Sequence, residues 1–425
     1  SGPSGLFCAY LLAELGYKPI IIERGEKIEE RVKSVENFWK TGLLNTNSNV
    51  QFGEGGAGTF SDGKLNTLVK DKSFRMKKVF EIFVASGADK EILYTNNPHI
   101  GTNVLRKVII NLRKKIIAFG GEFHYNTTLT NINIKENKMT SIEINHKEII
   151  ETNILVLAIG HSARDTFEML NKKDFSLEPK PFAVGLRIQH PQELININQY
   201  GKNTKLLPPA SYKLTYQTKE GRGVYSFCMC PGGYVVNASS EEKRLAINGM
   251  SYHDRNSQNA NSAIVVTISP KDYGTNPLDG LTFQRELEEK AYALGNGKIP
   301  IQTIKDFHNS VESKKLGNIS PIFKGDYHLT DLNQIFPSYI STSIKESLSN
   351  FDKKIPGFND DDALLAGVES RTSSPVKIPR DENLESHIKG IYPCGEGAGY
   401  AGGITTSAMD GLKVAESIIS TYQNE

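Results

Sequence analysis

The sequence predicts an α/β protein: a doubly wound, discontinuous dinucleotide-binding domain with a β-rich α+β domain inserted into it. Three observations predict this. A glycine-rich turn at the start is followed in register by a helix, a strand and an acid. Short alternating segments dominate the middle. A strand, a glycine loop and a helix return at the end. The nucleotide-binding domain is expected over 1–180 and 365–425, and the inserted substrate or cap domain over 181–364.

Composition narrows the function classes. The 425 residues carry 50 Lys+Arg against 48 Asp+Glu, a formal charge of +2, which argues against a protein that lives on nucleic acid or an anionic membrane surface. Hydrophobic residues at 38% and charged residues at 23% suit a large packed core rather than global disorder. No stretch approaches the roughly 18 apolar residues of a membrane span. Four cysteines (Cys8, Cys228, Cys230, Cys394) make no disulfide framework, so a reducing, cytoplasmic setting is expected.

Ser1-Gly2-Pro3-Ser4-Gly5 opens a helical run with Leu6, Ala9, Leu12 and Ala13 on one side, stopped at Gly16. The β-branched run Ile20-Ile21-Ile22 then reads as a strand closed by Glu23. Glu23 stands 21 positions after Gly2, near the roughly 20-residue offset of an acid that binds a ribose hydroxyl. Glycines let backbone N–H groups approach a pyrophosphate, and the helix N-terminus adds positive dipole. The first glycine of G-x-G-x-x-G and the strand before it do not stand in the sequence. The natural polypeptide is therefore expected to begin upstream of Ser1, because that strand is central and its loss would leave two neighbours unpaired.

Phe52 to Leu65 is glycine-dense, and 104–119 reads as an amphipathic helix with Val104, Val108, Leu112 and Ile116 on one stripe. Strands follow at 129–134 and 139–144, then the buried-looking parallel strand 154–159, stopped by Gly160. Beyond Pro179-Lys180-Pro181 the alternating segments 212–217, 224–229, 234–237 and 263–268 mark the inserted domain, with a tight turn at Pro231-Gly232-Gly233. Helices are expected over 283–294 and 339–351. Near the end, a strand at 390–396 leads through a glycine loop to a helix over 404–419, with Ala408, Leu412, Ala415 and Ile419 as its apolar face.

Three motifs compete for attention. Gly397-x-Gly399-x-x-Gly402 fits the dinucleotide string, but a second βαβ unit needs a further strand and the sequence stops at Glu425. Gly58 to Lys64 fits the first part of a phosphate loop, yet Leu65 replaces the hydroxyl that would bind Mg²⁺. Cys228 and Cys230 are too isolated for zinc; alternation puts both on one strand face, where core packing competes with a redox or covalent role for Cys230. No metal site is expected.

Taken together, these stretches resemble the FAD-dependent (NAD(FAD)-utilising) dehydrogenase family of the glutathione-reductase-like FAD-binding fold. The resemblance implies FAD held by Gly2, Pro3, Ser4, Gly5, Glu23 and Arg24 at the pyrophosphate turn, and by Gly56, Gly58 and Thr59 in the glycine-rich loop. It further implies Gly160 near the adenine half, and Gly395, Glu396, Gly402, Gly403 and Ile404 around the ribityl and flavin. Glu396 stands where that motif usually carries Asp. The stretches 227–233, 248–255 and 367–375 look family-specific. Phe52 to Leu65 holds no cysteine pair, so dithiol chemistry in that loop is excluded.

The implied activity is an FAD-dependent oxidoreductase passing a hydride or electron pair to or from a small organic substrate, with NAD(P)H as a transient donor. Lys64, Arg371 and His253 are the candidate catalytic residues. A structural ion pair of Arg371 with Glu369, a hydrogen-bonding role for His253 and a helix-start role for His161 compete with function. Other readings are a flavin-binding protein acting in RNA modification or regulation, and an NTPase using Lys64.

Overall fold

The structure, a computed structural model, describes residues 1–67, 69–202 and 206–422. The first helix, Pro3–Glu14, starts where Pro3 fixes a helical φ at its first position, and ends before Gly16 at φ +89°. Leu6, Phe7, Cys8, Ala9, Leu12 and Ala13 are all buried. Burial nearly all round follows from having structure on several sides. Leu6 and Phe7 pack in a cluster with Ile21, whereas Cys8 and Leu12 pack with Tyr392, Cys394 and Val414. Ile21 and Tyr392 belong to two separate parallel pairs, Ile20–Ile22 with Glu122–His124, and Leu155–Leu157 with Ile391–Pro393.

The terminal helix, Ile404–Thr421, crosses the first one at Gly411, where a Cβ would lie 2.2 Å from the Ser4 carbonyl oxygen. Only glycine permits that approach. Ala408, Leu412 and Ala415 are buried as the spacing predicts, while Ile419 is half-buried. The helix Thr102–Ala118 buries Val108, Leu112 and Ile116, with Val104 half-buried at its edge. Strands Leu129–Lys135, Lys138–Ile144 and Glu148–Glu151 form an antiparallel sheet.

A seven-stranded sheet fills the middle, in the order Tyr327–Leu329, Ile299–Thr303, Leu364–Glu369, Phe182–Pro191, Asn259–Ile268, Gly223–Cys230, Thr215–Gln217. Its two central strands pair antiparallel over ten residues, from Phe182 opposite Ile268 to Pro191 opposite Asn259. Helices Asp279–Leu294 and Ser338–Asp352 contribute Leu287, Ala291, Ile344 and Leu348 to its core. Leu364–Glu369, which begins at the expected domain boundary, is a member of this sheet. The turn at Pro231 to Gly233 carries the chain from the large sheet to a small one, Ile247–Met250, Tyr234–Asn237, Phe323–Lys324. Gly232, at φ +46°, is required there, since a Cβ would collide with the Arg255 carbonyl.

Alternation misplaces the two thiols. The ladder shifts register between Phe227 and Cys230, and Cys228 takes φ +44° in the resulting bulge. Cys228 is exposed and Cys230 buried, so the core packing expected of both thiols holds for Cys230 alone.

His190, fully buried in the central strand, lies 2.7 Å from the Phe358 carbonyl oxygen through Nε2. Burial lowers its pKa from 6.5 to about 4. The unfolded chain therefore binds a proton that the folded chain refuses between those values, and stability is lost as pH falls through that window. The expected loss is about 3 kcal/mol. Urea unfolding of the wild type and His190→Gln at pH 7 and pH 4.5 checks it. The variant should show the shallower dependence, and equal slopes would contradict this account.

Candidate functional site

The site begins with two glycine stretches some fifty residues apart. A Cβ on Gly56 would lie 2.9 Å from the Gly2 Cα, and the Gly55 amide donates to the Ser1 carbonyl at 2.9 Å. Backbone thus meets backbone with no side chain between. Gly58 lies against the Ile404 side chain, 2.9 Å from a would-be Cβ, at the start of the terminal helix. A Cβ on Gly395 would meet the Ser4 hydroxyl at 2.4 Å, and Gly5 faces Ala158. A small apolar cavity of about 10 Å³ is bordered by Pro3, Gly55, Gly58 and Ile404 together. Both ends of the chain and the loop near residue 56 are therefore neighbours.

Two helix N-termini border that loop. Neither Gly2 nor Gly403 supplies a side-chain cap, and neither helix carries an acid in its first turn. Such ends leave amide N–H groups and positive dipole for an anion. Gly160, at φ +68°, and Gly402 have nothing within 4 Å of a would-be Cβ, so both face open space.

The acids are held in place. Glu23 is buried at the end of its strand. Its Oε1 accepts from the Gly25 and Gly53 amides at 2.9 Å, and its Oε2 from the Ser1 hydroxyl at 2.7 Å. Glu396 pairs through Oε1 with His161 Nδ1 at 3.0 Å. His161, expected merely to start a helix, thus positions the acid. Arg24 is committed to Asp165 at 2.7 and 2.8 Å and lies over the Phe52 ring at 4.4 Å. Thr59 Oγ1 donates back to the Glu54 carbonyl at 3.4 Å.

Arg31 shapes the glycine-rich loop, and sequence reading missed it. Its fully buried guanidinium donates to the carbonyls of Asn49, Val50, Gly53, Glu54 and Gly56 at 2.6 to 3.2 Å. Burial pulls its pKa down to about 10, which leaves it charged at neutral pH. The available signal was a cation in the apolar stripe formed by Ile28, Val35, Phe38 and Trp39 of the helix Ile28–Thr41.

Of the candidate catalytic residues, Lys64 and His253 both adjoin His99, and Arg371 stands apart. Lys64 donates to the Met229 carbonyl. His253 stacks on His99 with centroids 5.5 Å apart, and its Nδ1 lies 3.0 Å from the Ile100 carbonyl oxygen. Arg371 stands in a separate buried cluster, with Glu288 at 2.9 Å, Ser162 at 3.1 Å and Ser240 at 2.5 Å. The expected pairing of Glu369 with Arg371 is corrected. Glu369 pairs with Arg187 at 2.9 and 3.1 Å, because the sheet register brings those two strands together. Gly58 to Lys64 forms a short 3-10 turn and an isolated bridge to His99, not the helix that follows a phosphate loop. Among the described residues, no three His, Cys, Asp or Glu side chains gather as a metal would require, and no helix is long and apolar enough to cross a membrane.

A protein of Clostridium beijerinckii, itself described as uncharacterized, is 52% identical over 428 residues, covering 99% of this chain and 80% of that protein. This chain belongs to the same family. Its residues 181–372 match the family described as "FAD-dependent protein, C-terminal domain-like". Solved structures similar to the whole chain include glycine oxidase from Bacillus cereus, at 12% identity and TM-score 0.37, covering 100% of this chain and 94% of that one. L-proline dehydrogenase from P. horikoshii follows at 14% identity and TM-score 0.38, covering 100% and 92%.

Replacing Arg31 would take a charged donor from five loop carbonyls, of which only those of Gly53, Glu54 and Gly56 have a second donor, in the Gly56 amide, Thr59 Oγ1 and the Thr59 amide. Arg31→Met is expected to cost about 3–5 kcal/mol, and Arg31→Lys most of that, since an ammonium cannot fan across the loop. Urea unfolding measures both. A loss under about 1 kcal/mol for either would contradict this role.

Proposed function

We propose that this protein is an FAD-dependent oxidoreductase that transfers a hydride or electron pair to or from a small organic substrate, with NAD(P)H as a transient electron donor. The observation that carries the reading is the backbone convergence of Gly2, Gly56, Gly58 and Ile404, which joins two uncapped helix starts across a loop of glycines. A family match described as FAD-dependent supports it. In this reading the two parallel strand pairs are halves of one doubly wound sheet of the glutathione-reductase-like kind.

The residues present suit such a group. Gly2, Pro3, Ser4 and Gly5 would present backbone to the pyrophosphate. Glu23, with Oε1 fixed by two amides, would offer Oε2 to the adenosine ribose. Gly160 would border the adenine half. Glu396, oriented by His161, would accept from the ribityl chain, and Gly402, Gly403 and Ile404 would direct the terminal helix dipole at the pyrimidine edge. Bound FAD supplies the two-electron chemistry. The protein's part is to orient, to exclude water and to favour negative charge at that edge through a dipole end worth roughly half a positive charge. Lys64 holds the glycine-rich loop to the cap-domain strand by donating to the Met229 carbonyl.

Purified protein should be yellow, or gain flavin absorbance when FAD is added. Gly56→Val should weaken FAD binding by about 100-fold or more while circular dichroism stays unchanged, because its side chain would enter the Gly2 backbone. A colourless protein that takes up no FAD, or a valine variant that binds as well as wild type, would overturn the proposal.

A further inference from the structure

The strand Gly223–Cys230 carries a feature that the cofactor reading does not use. Cys228 sits in the bulge at φ +44° with an exposed side chain, and two residues on is the buried Cys230. The Cys230 thiol donates to the Cys228 carbonyl at 3.3 Å, so its sulfur lies beside the neighbouring cysteine's backbone. Arg187 donates to that same carbonyl at 3.1 Å, and Lys64 donates to the carbonyl of Met229 between them. Two thiols and two cations thus share one turn of chain.

We propose that Cys228 and Cys230 form a redox-active dithiol that closes to a Cys228–Cys230 disulfide beside the glycine-rich loop. The reach is available. Residues two apart span at most roughly 7 Å when fully extended, close to the range below about 6.8 Å that a disulfide accepts, and the Cys230 sulfur already lies 3.3 Å from the Cys228 carbonyl oxygen. Closure forms one S–S bond and breaks two S–H bonds, releasing two protons and an electron pair. The pair goes to bound flavin, an acceptor that rests on the reading above, or to a small-molecule disulfide, which is cleaved to two thiols. The exposed Cys228 is the sulfur such a disulfide meets first, and Cys230 resolves the mixed disulfide. Burial and then the Asp62 carboxylate raise the Cys230 pKa, while Arg187, Lys64 and Arg255 oppose the shift. Desolvation likewise raises the Cys228 pKa to about 12, so both sulfurs rest as protonated thiols, with Arg187 and Lys64 opposing the shift at each.

The test needs no flavin. Protein is incubated with oxidised glutathione, alkylated after denaturation and digested with trypsin, which releases Gly223–Lys243 with both cysteines. The expected peptide is lighter by two hydrogens and unalkylated, and regains two alkyl groups after dithiothreitol. Cys8 and Cys394, both buried elsewhere, stay alkylatable throughout as internal controls. Cys228→Ser and Cys230→Ser should each abolish the mass loss. In flavin-loaded protein first oxidised with glutathione disulfide and then freed of it, anaerobic reductive titration should consume twice the equivalents per flavin that Cys228→Ser consumes. A peptide that keeps both thiols, or stops at a glutathione adduct on Cys228, overturns the proposal, whatever the flavin assay shows. Equal titration of wild type and variant overturns the flavin as acceptor.

Discussion

One buried cation sets the geometry on which the rest depends. Five carbonyls of the loop between Asn49 and Gly56 point at the Arg31 guanidinium, while Asn49 Oδ1 accepts from the Gln51 and Phe52 amides within the same loop. Burying a guanidinium is costly unless its donors are used, and here the fork spreads over nearly all of them. The loop it braces meets Gly2 on one side and Ile404 on the other. Flexible sequence becomes a fixed surface because a rigid cation stands beneath it.

The same device recurs where the helix Arg164–Lys172 meets the helix Asp279–Leu294 packed on the large sheet. Glu288 receives both Arg164 and Arg371, and its carboxyl is held far below the ordinary range although burial opposes this. Arg164 comes from the helix beyond Gly160, Glu288 from the helix Asp279–Leu294, and Arg371 from the segment after the strand Leu364–Glu369. Desolvated pairs of this kind add little net stability over apolar packing, but a broken one is expensive. They therefore specify one arrangement of the two helices. Arg371, a candidate for catalysis on chemical type, spends its donors on this arrangement.

Much of the fold was legible because local and global preferences agree in it. The first helix, the strand ending at Glu23, the helix near 104–119 and the terminal helix follow their apolar periods, as propensity and burial both favour them. The central strand Phe182–Pro191 was not singled out. It is buried on both faces and carries Arg187 and His190 inside, so it shows neither clean alternation nor a plain apolar run. The pairing of Glu369 was misread for a related reason. Sequence proximity suggests Arg371, whereas strand register, a long-range property, delivers Arg187. At the site, glycine and acid positions could be read from spacing, but Arg31 and the His161 contact to Glu396 depend on which loops come together. The Cys228 bulge likewise left no mark in a sequence that alternates through it.

The central claim is that the opening turn, the glycine-rich loop and the loop before the terminal helix form a single cradle for one long cofactor. A crystal structure of the protein soaked or co-crystallised with FAD tests this most directly. The account predicts diphosphate density within hydrogen-bond distance of the Gly2 to Gly5 backbone and the ring system bordering Gly58 and Ile404. Density confined to another surface, such as the groove between Arg113 and His124, with the glycine contacts unchanged, would contradict it.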